Sequence, residues 1–495
     1  MIETLNILFV LLIGYSIVTQ IIPGVGIMER ICLSYGVAIG FNSLFMFVVL
    51  LLKIPVTSFL ISLSYAVILI FLFFYFKENI LNPDSWIFER IKKKYLFMLL
   101  SFLGTLFILS VIISVFYPIT TADGIWYEYY GKIIASESNI YQKILIIYKK
   151  PLFLPITYAF LYLNNIFAIQ IIFPLFYLFL CLAFFFRLSC YTADLKLVSI
   201  FSIVLATTPY IWWHSYLPLL NLIAGYFFSI GIFCWYSSLF PAHKQSLQTS
   251  KGFMLLAGIF FGFSSWARLE FIWYFMIPVF LYFFYSASRQ NKDIDKFRLL
   301  LLPTVGIFLP WIIYIGVMKA YGEKEFAMFL TLYASLIVIY IVYARLNSNA
   351  VLIKAVILLT IAAILIVSLL FLWDINWMFI FKRLQTTLAK TVVNHFFYFF
   401  TFFLIFLFKA FKNNIALKYL SCFIGLYLIW HFALYNVGGG RWEHWYEYFT
   451  AIFSEPGNFV SGSSTRELLA FYPVFIFWIA VLNNGKYVKE SKQKT

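Results

Sequence analysis

Charge is what this sequence has least of. Only 11% of its 495 residues are Asp, Glu, Lys or Arg, against 63% hydrophobic, and so little polar side chain cannot cover a water-soluble globule of this size. A cysteine framework is missing too. The five cysteines (Cys32, Cys181, Cys190, Cys234 and Cys422) are scattered, odd in number and mostly inside apolar runs, which excludes a disulfide scaffold and a cysteine metal site. HExxH, a Walker loop and a dinucleotide-binding glycine pattern are absent, removing those metalloprotease and nucleotide chemistries. There is no repeat of fixed period, no low-complexity tract and no soluble domain. The N-terminus, MIETLNILFVLLIGY, lacks a basic leader and a cleavage pattern and reads as a retained helix.

What fills the chain instead is apolar runs of about 17 to 25 residues, each long enough to cross a bilayer as a helix. The expected fold is an all-α polytopic membrane protein with about fifteen transmembrane helices between residues 3 and 482, among them single crossings near 152–186, 197–212, 353–373 and 395–411. Tyr and Trp often sit where runs end, as interfacial belts require. A formal net charge of +16 does not point to nucleic acid, because the basic residues lie in short clusters between apolar runs. With the tail NNGKYVKESKQKT placed in the cytoplasm, most of the 36 Lys and Arg residues fall on the cytoplasmic side, as the positive-inside rule requires. The linker KENILNPDSWIFERIKKKY weighs most in that assignment. The localisation expected is the plasma (inner) membrane.

This orientation leaves four long outer segments, 117–151, 209–222, 374–394 and 437–466, where the cytoplasmic links are short. Length and polarity gathered on one face point to chemistry there. The expected organisation is a three-helix module with a basic cytoplasmic linker over 1–94, followed by a catalytic membrane module over 95–495 whose outer loops carry interfacial helices.

The first outer segment opens with one isolated acid, Asp123, in TTADGIWYEYYGKII, which reads as a helix start. Two readings stand side by side: Asp123 as an N-cap satisfying free backbone donors, or Asp123 as a catalytic carboxylate. Trp126, Tyr127 and Tyr130 follow it by three, four and seven residues, so one helical face would carry the acid and an aromatic wall suited to a sugar. Glu128 and Lys132 are spaced as a surface ion pair.

The order Asp123, Trp126, Lys132, then Pro151-Leu152-x-Leu154-Pro155, resembles the first outer loop of GT-C superfamily glycosyltransferases. The resemblance implies a polytopic enzyme that uses a polyprenyl-phosphate-linked sugar, with Asp123 as general base. TTPYIWWHSYLPLLNLIAGYF (207–227) is similar to the family's second outer loop through Pro209, His214 and Ser215, with Asn221 where related enzymes have an acid. There Asn221 reads either as a residue orienting a hydroxyl or as a polar helix end. LLAGIFFGFSSWARLEFIWYF (255–275) resembles the family's Gly-rich helix and basic-x-acid. Arg268 and Glu270 cap a hydrophobic hairpin that reads as too short for two full-length crossings, so they are expected to lie shallow or inside the protein, as a site pair or a structural ion pair. SSTRELLAFYP resembles the Ser-x-x-Arg ahead of the last helix, giving Arg466 the carrier phosphate, against simple snorkelling. Trp442, Trp445, Tyr446 and Phe449 form the apolar stripe of an interfacial helix. Lys382, Arg383 and Lys390 are outer cations able to attract an anionic lipid.

Together these readings give an inverting membrane glycosyltransferase. The resemblance implies Asp123 as the catalytic residue and Trp126, Tyr127, Lys132, His214, Asn221, Arg268, Glu270 and Arg466 as the expected substrate-binding residues. The partners expected are a polyprenyl-phosphate sugar donor, a lipid-linked glycan, cell-envelope polymer or protein acceptor, and membrane lipids. No cofactor is expected. Gly124 after Asp123 leaves no paired acid there, so a divalent metal is not required; His444 with Glu443 and Glu447 is the remaining metal-capable group. The competing functions are a lipid-linked oligosaccharide polymerase or ligase, and a transporter or lipid flippase, for which inverted repeats and midplane charges would be expected.

Overall fold

The structure is a computed structural model. It describes residues 2–81, 93–140 apart from 117, 120 and 139, 151–242 apart from 193, 247–288, 293–318, 330, 334–338, 340, 343, 415–437 and 467–483. The described residues are helical, with no strand among them. The chain divides into two compact units, Met1–Ile272 with Ile294–Tyr340, and Trp273–Asp293 with Ile341–Thr495.

In the first unit α1 (Ile2–Ile21) packs against both α2 (Ile27–Leu51) and α3 (Ser58–Leu81). Next come α4 (Lys93–Phe116) and the polar helix α5 (Ala122–Glu137). The apolar run expected to cross once over 152–186 is two helices, α6 (Phe153–Leu163) and α7 (Ile172–Tyr191), separated by a turn in which Asn165 takes φ 55°. An 11-residue helix reaches only about 16 Å, too short for a hydrocarbon core of about 30 Å. The break is held by polar side chains. Asn6 Nδ2 donates to Asn164 Oδ1 at 2.7 Å and to Ser58 O at 3.1 Å, Ser62 Oγ donates to Asn6 Oδ1 at 2.6 Å, and Ser58 Oγ donates to Leu163 O. The first three helices therefore share one unit with α5 and α6 and fix the turn behind them.

The chain continues through α8 (Leu195–Ala206), the single turn α9 (Pro209–His214) and α10 (Leu220–Leu239). All of α10 is buried, as a helix apolar on every side must be in a multi-helix core. Phe227 meets Phe153, Phe176 and Phe263 at centroid distances of 5.6 Å, so α10 is the axis to which α6, α7 and α11 (Leu247–Ala267) attach. Ser264 Oγ donates to Ala224 O at 3.0 Å, pinning the end of α11 to the start of α10. The helix α12 (Phe271–Ser288) follows a three-residue turn, and α13 (Ile294–Met318) packs back along α11, where Thr304 Oγ1 donates to Gly258 O at 2.9 Å.

In the second unit Tyr274 of α12 stacks on Tyr427 of α14 (Ile415–Val437) at 4.6 Å. Tyr427 also stacks on Phe471 of α15 (Phe471–Asn483), and Trp478 Nε1 donates to Ser421 Oγ at 2.9 Å.

Six helices among the described residues are long and apolar enough to cross a membrane: Glu3–Ile21, Ile27–Leu51, Lys94–Phe116, Ile169–Tyr191, Leu220–Leu239 and Ile294–Gly316. Several long apolar helices in one chain point to a membrane protein. The described residues do not reach the expected count of about fifteen. The run expected at 197–212 divides into α8 and α9, each too short to cross. Those expected at 353–373 and 395–411 lie outside the described residues.

Candidate active site

Residue choice at the start of α5 decides what Asp123 is available to do. Thr121 is the N-cap: its backbone is extended (φ −76°, ψ 134°) and its Oγ1 accepts from Gly124 N at 3.1 Å. That is the ordinary capping bond of a Thr side chain. Asp123 is thus not the cap. It stands two residues inside, in the first turn, partly exposed, where a carboxylate is favoured by the helix dipole. Threonine and aspartate both satisfy cap preferences, which is why TTAD leaves the two readings open in sequence.

The aromatic residues behind Asp123 do not form one wall. Trp126 is 39% exposed and stacks on Tyr130 with centroids 5.6 Å apart, while Tyr127 and Tyr130 are each only 2% exposed. Burial and the neighbouring Tyr129 push the Tyr130 phenol above its ordinary pKa. The exposed aromatic side chains here are therefore Trp126, backed by Tyr130, and the neighbouring Tyr129. The expected ion pair is present. Lys132 Nζ lies 2.6 Å from Glu128 Oε1, Tyr162 Oη donates to the same oxygen at 3.0 Å, and Lys132 sits 5.6 Å from the Tyr162 ring centroid. Lys132 is thereby held on the flank of α5 facing α6.

α5 is fixed at both ends. Ser138 ends it in the left-handed region (φ 50°), and its hydroxyl accepts from Val56 N at 3.0 Å and donates to Val56 O at 3.1 Å. At Gly131 a Cβ would stand 2.7 Å from Tyr158 Cβ and 3.2 Å from Pro155 O. The glycine is what lets α5 lie directly on α6. At Gly124 a Cβ would stand 2.7 Å from Pro218 Cγ, so the turn bearing Asp123 is seated against the second expected segment.

Within that segment His214 is fully buried. Its Nδ1 is 2.8 Å from Tyr210 O, and its ring lies against Tyr210 and Trp213 at 4.8 and 5.0 Å. Ser215 Oγ lies 2.7 Å from Ser110 Oγ, tying this turn to α4. Asn221 is the second residue of α10, 5% exposed, and its Nδ2 has no hydrogen-bond partner among the described residues.

Arg268 and Glu270 form the expected pair in the turn between α11 and α12. Arg268 Nη2 is 3.0 Å from Glu270 Oε1, and Nε donates to Oε2 at 3.4 Å. The helices on either side run 21 and 18 residues, about 31 and 27 Å, so the hairpin is longer than the sequence suggests and its apex is a true helix end. Ser264, one turn before Arg268, bonds Ala224, one turn after Asn221. The structure thus gathers the starts of α5 and α10 and the end of α11. Arg466, Lys382, Arg383, Lys390, Trp442, Trp445, Tyr446, Phe449 and the group Glu443, His444 and Glu447 lie outside the described residues. Among the described residues no three His, Cys, Asp or Glu side chains are grouped to hold a metal ion.

A second polar cluster, which the sequence reading missed, lies at the opposite end of α10. Glu29 of α2 pairs with Arg187 of α7, both almost wholly buried. Arg187 Nη2 donates to Glu29 Oε2 at 2.8 Å and Nη1 to Ser237 Oγ at 3.2 Å, and the guanidinium lies 4.4 Å from the Phe253 ring centroid. Sixteen residues of helix separate Ser237 from Asn221, about 24 Å, so this cluster is a separate feature. The signal for it was present: ionisable residues at the edges of apolar runs, which are costly in a membrane and therefore paired.

Comparison with family models, with curated proteins and with solved structures finds no match.

Proposed function

We propose that the protein is an integral-membrane glycosyltransferase of the GT-C kind, moving a sugar from a polyprenyl-phosphate donor to a lipid-linked glycan, envelope polymer or protein acceptor on the extracytoplasmic face. The observation that carries this reading is the division of labour at the start of α5. Thr121 is the N-cap of the helix, and the carboxylate of Asp123 stands in its first turn, partly exposed. It sits on a helix held at both ends, beside the partly exposed Trp126. An ordinary carboxylate is ionised at neutral pH and needs no tuning to act as a base.

On this reading Asp123 takes the proton of the acceptor hydroxyl. The hydroxyl oxygen bonds the anomeric carbon from the side opposite the phosphate, and the carbon–oxygen bond to the phosphate breaks, releasing polyprenyl phosphate. Inversion follows from the single displacement. Trp126 stacks on the sugar, Arg268 lends charge at the same end of the bundle, and Arg466 is assigned the departing phosphate by resemblance. Residues 1–94 contribute rigidity, because α1 and α3 hold the α6–α7 turn and Val56 holds the end of α5.

The test is direct. Purified protein in nanodiscs is given radiolabelled polyprenyl-phosphate sugars and a crude acceptor-lipid fraction, and products are separated and their anomeric configuration is read. Transfer with inversion supports the reading. Retention of configuration, or no transfer from any polyprenyl-phosphate hexose or pentose, overturns it.

A further inference from the structure

The start of α10 carries more hydrogen-bond donors than its surroundings satisfy. A helix leaves its first N–H groups without intrahelical partners, and here the cap residue is Leu219, which offers no side-chain oxygen. The residue before it, Pro218, has no N–H, and Leu219 N donates back to Leu217 O at 2.8 Å. Asn221, in the first turn, is 95% buried, and its Nδ2 has no hydrogen-bond partner among the described residues. Cα–Cβ bonds tilt toward the helix N-terminus, so this amide leans toward the orphan backbone donors. The α10 helix is 20 residues long, and its positive end adds to these donors.

Donors gathered at a helix N-terminus favour an anionic oxygen, and phosphate is a group that geometry suits. Its position gives the ligand a further property. The turn lies against Gly124, next to Asp123, and at the end of the bundle that carries Arg268. The chain has several helices long and apolar enough to cross a membrane, so the anion expected at this turn is one carried by a lipid.

We infer that the N-terminus of α10, with Asn221 Nδ2, binds the phosphate of a lipid-borne phosphoester. Resting on the transfer reading above, that phosphate is the one that leaves the donor sugar. Placed beside the start of α5, it puts the base and the leaving group in neighbouring turns of the fold, with Arg268 as the nearby cation. Asn221 is then a binding residue valued for its donor.

The experiment measures lipid binding without turnover. Protein in neutral phosphatidylcholine nanodiscs is titrated separately with polyprenyl monophosphate, with the uncharged polyprenol of the same chain, and with phosphatidylglycerol. Asn221→Asp, which replaces the donor by a negative acceptor, is expected to weaken polyprenyl monophosphate binding about tenfold or more while leaving polyprenol unchanged. Asn221→Leu, apolar and similar in volume, is expected to give a smaller loss with the same selectivity and serves if the aspartate variant fails to fold. Asn221→Ser, which keeps a donor, should stay within about threefold. Equal effects on phosphate and alcohol, or no effect, overturn the inference. An equal loss for phosphatidylglycerol assigns the site to bulk lipid and overturns its link to the donor. Because no transfer is measured, failure here leaves the role of Asp123 standing. Conversely, a catalytically dispensable Asp123 leaves this site standing as a lipid-phosphate site.

Discussion

Thr121 and Asp123 are two residues apart and do different work. Removing the Thr121 hydroxyl leaves Gly124 N without its acceptor, and a lost cap costs about 1 kcal/mol. Thr121→Ala should therefore speed hydrogen exchange of the amides at 122–126 roughly fivefold, while Thr121→Ser leaves it near the wild-type rate. Unchanged exchange in the alanine variant would mean that another group caps α5. Arg187 gives the opposite kind of prediction, because its partner is buried with it. Arg187→Met strands the Glu29 carboxylate and should destabilise the protein by about 3–5 kcal/mol, whereas adding Glu29→Gln to it should restore much of that loss. Thermal unfolding of the two single variants and the double variant measures the coupling. Additive losses would contradict a paired role. At this scale the sequence was informative wherever spacing alone decides contact, as for Glu128 with Lys132 and Arg268 with Glu270. It was ambiguous wherever adjacent residues share a preference, as Thr121 and Asp123 do for the cap, and it could not show that Tyr127 and Tyr130 turn inward while Trp126 stays partly exposed.

Helix packing explains which polar segments meet. α5 lies on α6 because Gly131 permits it, and a methyl group there would press on Tyr158 Cβ and Pro155 O. Gly131→Ala should cost about 1–3 kcal/mol by overpacking, lower the thermal midpoint and weaken the α5–α6 contact. A midpoint equal to wild type would show that the two helices are not in register as described. The helix α5 was readable from TTAD followed by a periodic aromatic run, and α1 to α4 from their hydrophobic lengths. The break between α6 and α7 was not, because the apolar run continues through it. Its only local mark is the pair Asn164 and Asn165, and what makes them a turn is tertiary: Asn6 and Glu3 bond them, and Ser58 bonds the neighbouring Leu163 O, from far away in sequence. The same limit applies to α8 and α9, where one apolar run hides a corner at Thr207 and Thr208.

Over the whole molecule, polar groups divide between two ends of the first unit. One end joins Asp123, Asn221 and the Arg268–Glu270 turn; the other holds Glu29, Arg187 and Ser237. With the positive-inside orientation proposed for the chain, the first end faces outward. Exposed Ser136, in the last turn of α5, and exposed Leu247, at the start of α11, are then on opposite sides of the membrane. A membrane-impermeant maleimide added to intact cells should label Ser136→Cys and spare Leu247→Cys, in a background without Cys190 and Cys422. The reverse pattern would invert the orientation and move the proposed chemistry to the cytoplasmic face. That several helices are long enough to span was plain in the hydrophobic runs. That the first three helices brace α5 and the turn after α6 was not, because hydrogen bonds between residues more than 80 positions apart leave no periodic trace.

The account's central claim is that Asp123 supplies the base for sugar transfer, and one substitution tests it most directly. Asp123→Asn preserves shape and the Thr121 cap but removes basicity. Transfer from a polyprenyl-phosphate sugar by the purified variant, measured alongside its affinity for that donor, is expected to fall by about 100-fold or more with donor affinity within about threefold of wild type. Transfer at the wild-type rate would contradict the claim.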